Sequence, residues 1–225
     1  MSIGPKTALL EEYALVGQAL SSPARLALLE QLAQGERGVE GLADKTGLTL
    51  ANCSQHLQQL RRAGLVTSRR AGKAVIYRLT DTKTLELMDL LRVLAERNLD
   101  QVAQILRGLS GGADAPEPVS RVDLAARMAD GAVTILDVRP ADEFAAGHIP
   151  GALNRTLTEL GALLPDLAPD AEIVAYCRGP YCIYAHQAVA ALRQRGFNAR
   201  RLEGGLPEWR ADGFAVVSNP QPGCC

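Results

Sequence analysis

A segment rich in glycine, proline and other small residues divides this chain into two parts with different hydrophobic patterns. Residues 110–120 read Ser-Gly-Gly-Ala-Asp-Ala-Pro-Glu-Pro-Val-Ser and lack the spacing of apolar residues that a helix needs. Such a composition is typical of interdomain linkers. We therefore predict a domain at residues 1–109, a linker at 110–120, a second domain at 121–217 and a tail at 218–225.

The first part has the pattern of a helical domain with a β-hairpin. Ser22 followed by Pro23 is typical of a helix start, and Thr49 and Gly64 are residue types that commonly begin and end helices. Two apolar runs on either side of Gly72 indicate a hairpin. The predicted elements are helices at residues 24–33, 39–46, 49–64 and 82–109 and strands at 65–70 and 74–79. Apolar residues at helical spacing along the last helix need a partner surface, which predicts a dimer.

The predicted helix at residues 49–64 is polar on one face and lies in a basic stretch. Residues 45–80 contain seven Lys and Arg and no Asp or Glu, although the whole chain has a net charge of −1. A helix, a turn and a polar second helix are typical of a helix-turn-helix, in which side chains contact base edges and cations contact phosphates. The candidate DNA-binding residues are Asn52, Ser54, Gln55, His56, Gln59, Arg61, Arg62, Arg69, Arg70 and Lys73.

These motifs resemble the ArsR family of winged-helix repressors over about residues 8–108. The matching segments are Ser-Gln-His-Leu at 54–57, Leu-Arg-Arg-Ala-Gly-Leu-Val at 60–66 and a basic hairpin that ends Tyr-Arg-Leu at 77–79. The resemblance implies a homodimer that pairs through its first and last helices and binds a palindromic double-stranded operator.

The chain departs from the family's metal sensors. The predicted helix at residues 39–46 has no cysteine pair, and the predicted helix at 82–109 has no cluster of His and Asp ligands. Cys53 is spaced with Leu57 and Leu60 so that it faces the core. It is interpreted as a packed small hydrophobic residue, with a sensor thiol as the alternative.

The second part alternates strands and helices. Continuous apolar runs such as residues 133–138 are typical of strands buried in a parallel sheet. The predicted strands are residues 133–138, 173–176 and 200–202, and the predicted helices are 122–129, 159–164, 183–195 and 207–212. We therefore predict a small α/β fold with a mostly parallel sheet. Its candidate site lies at the carboxyl ends of the strands, where Cys177 follows one of them.

The sequence Tyr-Cys-Arg-Gly-Pro-Tyr-Cys at residues 176–182 joins a predicted strand to a predicted helix. Loop amides and a helix N-terminus stabilise a thiolate and any anion attached to it, so this placement favours a reactive Cys177. Cys182 is a candidate resolving thiol, provided that its Cα lies about 4.4–6.8 Å from that of Cys177. Arg178 is a candidate for anion stabilisation. The alternative for Cys182 is that it merely begins the helix.

The second part resembles a single rhodanese domain over about residues 118–217. The matching segments are Leu-Asp-Val-Arg at 136–139, Glu-Phe at 143–144, Gly-His-Ile-Pro-Gly-Ala at 147–152, Tyr-Cys-Arg-Gly at 176–179 and Leu-Glu-Gly-Gly at 202–205 with Trp209. The family's persulfide-accepting thiolate maps onto Cys177. Asp137 and Arg139 map onto an architectural pair, and His148 onto a residue that packs a loop.

The active loop departs from that of a typical sulfurtransferase. Such an enzyme usually has an Arg or a similar group that holds the anionic donor five residues after the cysteine, followed by a Ser, whereas this chain has Cys182 and Ile183. We therefore expect weak binding of thiosulfate. A domain that keeps the fold without any activity is a further alternative, and no cofactor is expected.

We interpret the chain as a homodimeric transcriptional repressor whose second domain senses sulfane sulfur or an oxidant through Cys177 with Cys182. The alternatives are a sulfurtransferase with an accessory DNA-binding domain and an arsenite or metal sensor that uses Cys224 and Cys225 of the tail. The chain lacks the roughly 18 uninterrupted apolar residues of a membrane span. Glu11 and Glu12 stand where a signal peptide needs an apolar run, so we expect a cytoplasmic protein without a membrane partner.

Overall fold

A computed structural model of the chain describes residues 4–109, 116–131, 133–163, 171–179 and 182–218. The chain forms two compact units, Met1–Leu87 and Met88–Cys225. The predicted linker at 110–120 and the predicted tail at 218–225 fall mostly outside the described residues. The predicted domain boundaries therefore stay predictions.

The first unit is a winged helix. Its helices are α1 (Pro5–Leu20), α2 (Pro23–Ala33), α3 (Val39–Thr46) and α4 (Leu50–Arg62), and α5 (Lys83–Asn98) begins in it. The strands β1 (Arg37–Gly38), β2 (Val66–Ala71) and β3 (Ala74–Leu79) form an antiparallel sheet in the order β1-β3-β2. The core of this unit includes Leu28, Leu29, Leu42, Cys53, Leu57 and Leu60, all fully buried. The other elements agree with the prediction, which missed α1 and β1.

Two local signals set the ends of the helix-turn-helix and the hairpin. The Thr49 side chain accepts a hydrogen bond from the Asn52 amide at 3.3 Å, so Thr49 caps α4 as predicted. Gly72 has a φ of 58° in the turn between β2 and β3. A positive φ is costly for residues that carry a Cβ, so glycine at this position favours the tight hairpin.

The long helix predicted at residues 82–109 is wrong in one respect, because it is broken at Leu99. The structure has α5 up to Asn98 and a separate helix α6 (Asp100–Leu109). The Asn98 side-chain amide donates to the Leu94 carbonyl at 2.7 Å. Asn and Asp favour helix ends because their short side chains compete for backbone hydrogen bonds, and both residue types stand at this break.

The second unit is built on a four-stranded parallel sheet. Its further helices are α7 (Arg121–Ala129), α8 (Ala141–Ala146), α9 (Leu160–Leu163), α10 (Tyr184–Arg193) and α11 (Leu206–Ala211). The strands are β4 (Val133–Asp137), β5 (Leu153–Asn154), β6 (Glu172–Tyr176) and β7 (Asn198–Arg201), in the order β5-β4-β6-β7. The predicted parallel sheet is confirmed, whereas α8 and β5 were not predicted.

Both faces of this sheet are buried, as the continuous apolar strands predict. Ile173 and Ala175 of β6 face one core cluster that includes Leu192 of α10, and Val174 and Tyr176 face a second cluster with α7 and α11. The chain leaves the carboxyl end of β6 at Cys177. This arrangement fixes the position of the candidate loop between two packed layers.

Candidate functional site

The exposed face of α4 carries part of the predicted DNA-binding set. Asn52 and Gln55 are exposed, on the side of the helix opposite its buried residues. Ser54, His56 and Gln59 are half-buried. That opposite face also exposes Gln58, which the sequence analysis missed although it lies three residues after Gln55.

Gln59 is held by an arginine of the neighbouring helix. Arg25 Nη1 donates to Gln59 Oε1 at 2.5 Å, while the rest of the guanidinium donates to the Ala19 and Gln18 carbonyls. A side chain fixed in this way is less available to a base edge. Among the described residues, His56 Nδ1 is buried with no hydrogen-bond partner. Gln55 is therefore the stronger candidate for base recognition.

The wing and the end of α4 present the predicted cations to solvent. Arg61, Arg62, Arg70 and Lys73 are exposed, with Arg61 Nη1 3.4 Å from Ser68 Oγ. Arg69 is exposed as well, but it forms an ion pair with Glu36. Glu36 lies 33 residues before Arg69 in the sequence, so the sequence pattern did not reveal this pair.

Cys177 and Cys182 form a disulfide at the carboxyl end of β6. Their Cα atoms are 6.2 Å apart, which lies inside the range expected for a bridge. Cys177 directly follows β6, and Cys182 lies two residues before α10. Both cysteines are buried and belong to the core cluster between the sheet and α10. The roles of reactive and resolving thiol assigned to them stay predictions.

The turn at Gly205 packs against the backbone of the cysteine loop. The Leu206 amide donates to the Cys177 carbonyl at 3.3 Å. A Cβ atom on Gly205 would lie 2.5 Å from both the Cys177 carbonyl oxygen and the Gly179 nitrogen, a distance that no side chain tolerates. The Leu-Glu-Gly-Gly motif therefore allows the backbone of the turn to approach the backbone of the cysteine loop.

Arg178 is engaged by a buried carboxylate. Its Nε and Nη2 atoms donate to the two Glu143 oxygens at 2.9–3.1 Å. The Glu143 side chain is fully buried and that of Arg178 is 13% exposed. The guanidinium also lies 5.9 Å from the Tyr184 ring centroid. Its predicted role in anion stabilisation stays a prediction, and its charge is largely balanced by Glu143.

A second carboxylate, Glu208, lies under the loop. Its Oε2 atom accepts a hydrogen bond from the Gly205 amide at 2.8 Å. A Cβ on Gly179 would meet the same oxygen at 3.3 Å, so the carboxylate packs against the loop. Burial raises the pKa of Glu208, and the Gly205 hydrogen bond acts in the opposite direction. Glu208 was not among the predicted site residues, although its position three residues after a helix-capping Gly is that of a capping box.

Asp137 and Arg139 form a buried ion pair that shapes the loop after β4. The pair includes Arg139 Nη2–Asp137 Oδ2 at 2.5 Å and Arg139 Nε–Asp137 Oδ1 at 3.0 Å, with side chains 1% and 0% exposed. Arg139 also donates to the Gly147 carbonyl at 2.7 Å.

His148 stacks on Phe144 and exchanges backbone hydrogen bonds with Val217. These contacts are those of a structural scaffold.

The remaining cysteines differ in their surroundings. Cys53 is fully buried, and burial raises the pKa of its thiol. Cys224 and Cys225 lie outside the described residues, so their predicted role has no structural account. Within the part of the chain that the structure describes, no group of three or more His, Cys, Asp or Glu is arranged to hold a metal ion.

After reduction with a dithiol, Cys177 is expected to react with limiting iodoacetamide near neutral pH well before Cys53. Its loop leads to the start of α10, a placement that favours a thiolate, whereas burial raises the pKa of the Cys53 thiol. Mass spectrometry of the labelled peptides measures the order. In urea the difference should vanish, and faster labelling of Cys53 in the folded protein would contradict the assignment.

Comparison with known proteins agrees with both units. The helix-turn-helix domain family matches residues 20–69, and the rhodanese-like domain family matches residues 120–212. The HTH-type transcriptional regulator Rv0324 of Mycobacterium tuberculosis (strain ATCC 25618 / H37Rv) is 43% identical over 211 residues, which cover 94% of this chain and 92% of the relative.

Solved structures match each part separately. The homodimeric winged helix-turn-helix DNA-binding domain (fragment 1–100) from Mycobacterium bovis is 41% identical, with a TM-score of 0.40, over 44% of this chain and 92% of its own. A rhodanese-related protein from Thermoplasma volcanium is 29% identical, with a TM-score of 0.41, over 45% of this chain and 98% of its own.

The fold and the site define a winged-helix DNA-binding unit joined to a rhodanese-like unit. The chain belongs to the ArsR-like helix-turn-helix transcriptional regulators that carry a C-terminal rhodanese-like domain. Among the described residues, none of the helices is both long and apolar enough to span a bilayer.

Proposed function

We propose that the protein is a cytoplasmic, homodimeric repressor whose rhodanese-like unit senses sulfane sulfur or thiol oxidation through Cys177 and Cys182. The observation that carries this proposal is the Cys177–Cys182 bridge at the start of α10. A thiol pair that can open and close is a two-state element, which a sensor requires.

The reduced pair of Cys177 and Cys182 can react with either a persulfide donor or peroxide. The Cys177 thiolate attacks the outer sulfur of a persulfide donor R–S–S–H, giving Cys177–S–S–H and releasing the thiolate R–S⁻. The Cys182 thiolate then attacks the inner sulfur, which forms the Cys177–Cys182 disulfide and releases HS⁻. With peroxide, Cys177 becomes a sulfenic acid and the attack of Cys182 releases water. A cellular thiol reductant reopens the bridge.

The second unit offers a route from this bridge toward the helices that follow the winged helix. Cys182 lies two residues before α10, and α10 contacts α6. Arg201 of β7 is close enough to Glu96 and Arg92 of α5 for their charges to interact. The resemblance to ArsR repressors assigns dimer pairing to this end of the first domain. A shift at the start of α10 therefore has packed neighbours that belong to the proposed dimer region.

Exposed apolar residues support the homodimer. Leu9, Leu10 and Tyr13 of α1 are 51%, 54% and 64% exposed, and Leu90 and Leu94 of α5 are 55% and 51% exposed. Apolar groups in such number on two helices favour burial against another copy.

The DNA-binding part of the proposal separates base contacts from phosphate contacts. Gln55→Ala is expected to lower the ratio of operator to random-DNA affinity, by about 1–3 kcal/mol if the amide contacts an adenine. Arg70→Ala is expected to weaken binding to both DNAs alike and to reduce the salt dependence by about one counterion. Fluorescence anisotropy at several salt concentrations measures both, on an operator selected from random-sequence DNA.

Arg155, an exposed arginine of the second unit, provides the matched control. Arg155→Ala removes the same charge from the rhodanese-like unit and should leave the affinity and its salt dependence unchanged. Equal losses on both DNAs for Gln55→Ala would show that α4 does not read sequence through this side chain.

Mass spectrometry of the reduced full-length protein tests the sensing part. Samples are exposed separately to polysulfide, hydrogen peroxide and arsenite, and operator affinity is measured on the same samples. Polysulfide is expected to modify the peptide that contains Cys177 and Cys182 and to change operator affinity. Modification confined to Cys53 or to the tail would refute the assignment of the sensor to this loop.

Two other functions give different outcomes. A sulfurtransferase with an accessory DNA-binding domain would turn over thiosulfate rapidly without any change in operator affinity. The Cys182 thiol in place of a charged residue argues against it. An arsenite or metal sensor would respond to arsenite through Cys224 and Cys225.

A further inference from the structure

One carboxylate lies among the cations of the wing. Glu36 comes directly before β1 and accepts hydrogen bonds from the Arg69 guanidinium of β2, from Nε at 3.3 Å and also from Nη2. The Arg69 side chain is 55% exposed and that of Glu36 is 45% exposed. Both oxygens of the carboxylate are therefore bound to one edge of the guanidinium, at a surface that solvent reaches.

The register of the three-stranded sheet explains why the two side chains meet. Ile76 of β3 pairs with Gly38 of β1 on one side and with Arg69 of β2 on the other. Paired residues point to the same face of a sheet and successive residues alternate, so Glu36 shares the face of Arg69. Tyr77 follows Ile76 in β3, points to the opposite face and is buried. The ion pair therefore lies on the face of the sheet that points away from the core.

This position places a negative charge beside cations that are available to phosphates. The hydrogen bonds from Arg69 lower the pKa of Glu36, and the charge of Arg78 acts in the same direction, so the carboxylate stays ionised near neutral pH. A carboxylate repels the phosphates of DNA, and a guanidinium already paired with one neutralises a phosphate less effectively. An exposed ion pair contributes little to the stability of the fold. Its larger effect is therefore expected on DNA binding.

We infer that Glu36 sets the DNA affinity of this surface, because it holds Arg69 away from phosphate and weakens the electrostatic part of binding. Arg69 then contributes less to phosphate binding than Arg70, the next residue of the same strand. Since the electrostatic part is common to all sequences, Glu36 lowers the affinity for operator and random DNA alike. The inference rests on the DNA binding of the proposed function and is independent of its sulfur sensing.

Glu36→Gln tests this inference in the dithiol-reduced full-length protein, since the variant removes the charge and keeps the size of the side chain. The affinity for both the selected operator and random-sequence DNA should rise at least about threefold at about 0.1 M salt. The salt dependence should increase by about one counterion for each subunit, because Arg69 is released to a phosphate. Fluorescence anisotropy titrations at several salt concentrations measure both quantities.

Two further variants assign the effect to the pair. In the Arg69→Ala background no guanidinium is left to release, so the addition of Glu36→Gln should raise the affinity by less than about twofold. Glu86→Gln is the matched control, because Glu86 forms an exposed ion pair with Lys83 at 2.8 Å in α5, outside the three strands. It frees a cation in the same way and should change neither the affinity nor its salt dependence.

The outcomes separate this inference from the proposed function. An unchanged or lower affinity of Glu36→Gln would overturn the inference, and a lower one would show that the carboxylate orients Arg69 for DNA. An equal gain in the Arg69→Ala background, or in Glu86→Gln, would overturn it as well, because the gain would then reflect net charge alone. All of these results leave the repressor function standing, whereas failure of the wild type to bind duplex DNA would refute both.

Discussion

Replacing Asp137 by Ala is expected to destabilise the rhodanese-like unit by about 3–5 kcal/mol. The substitution leaves the Arg139 guanidinium, which is 1% exposed, without its carboxylate partner. A buried charge that loses its paired carboxylate costs far more than the lost attraction, because the cation is also separated from water. Asp137 additionally accepts a hydrogen bond from the Arg139 amide at 2.9 Å, so the backbone after β4 loses a contact as well.

The fluorescence of the single tryptophan measures the stability of the rhodanese-like unit separately from that of the winged helix. Trp209 is the only Trp of the chain and is 2% exposed in the core of the second unit, so its fluorescence in urea reports the unfolding of that unit. Asp123→Ala is the matched control, since Asp123 forms an ion pair with Arg127 while its side chain is 47% exposed. Its expected loss of stability is much smaller than that of Asp137→Ala, because exposed ion pairs contribute little to stability. Similar losses for both variants would mean that the buried pair is not a structural anchor.

Most of the regular structure could be predicted from the sequence because its signals are local. The helix Val39–Thr46 and the strand Ala74–Leu79 have the predicted bounds, and α10 lies within its predicted range. Apolar periodicity and capping residues act within a few positions of each other, so sequence alone reveals them. The two-residue strands β1 and β5 were not predicted because they are too short to show any period and exist only through their pairing with β3 and β4.

The candidate site could be predicted only in part, because contacts between residues far apart in the sequence leave no local pattern. The cysteine pair is visible because its five-residue spacing lies within one loop. Glu143 is 35 residues from Arg178, and Arg25 is 34 residues from Gln59, so neither contact leaves a local pattern. These pairings change the chemistry that the motifs suggest. One balances the predicted anion-binding arginine, and the other restrains a predicted base-contacting side chain.

The response of the repressor to polysulfide is expected to be lost completely in Cys177→Ser. In the wild type, we expect polysulfide to change operator affinity by about 5- to 150-fold, the usual range of coupling between two sites. Cys177→Ser removes the sulfur that accepts the donor, so neither a persulfide nor a bridge can form at the loop. Anisotropy titrations before and after polysulfide, with the dithiol-reduced protein as the reference, measure the ratio.

Cys182→Ser distinguishes the bridge from the persulfide as the signal. This variant keeps the accepting thiol but lacks the second one, so mass spectrometry should find a persulfide on Cys177 and no internal bridge. A bridge joins the residue that follows β6 to the residues just before α10, whereas a persulfide adds one sulfur at Cys177 alone. The change in affinity should therefore be reduced or absent in Cys182→Ser. A full response in this variant would mean that the persulfide itself is the signal.

The tail cysteines provide the control for this series. The double variant Cys224→Ser/Cys225→Ser keeps the loop intact and should respond to polysulfide as the wild type does. If Cys177→Ser still responds like the wild type, the sensor lies outside the rhodanese-like loop, and a loss of response in the double variant would assign it to the tail. A modification changes operator affinity only by as much as it changes the free-energy difference between the two states of the protein. The bridge at the start of α10 is the element for which that difference can be measured directly, as the ratio of operator affinities of the reduced and bridged protein.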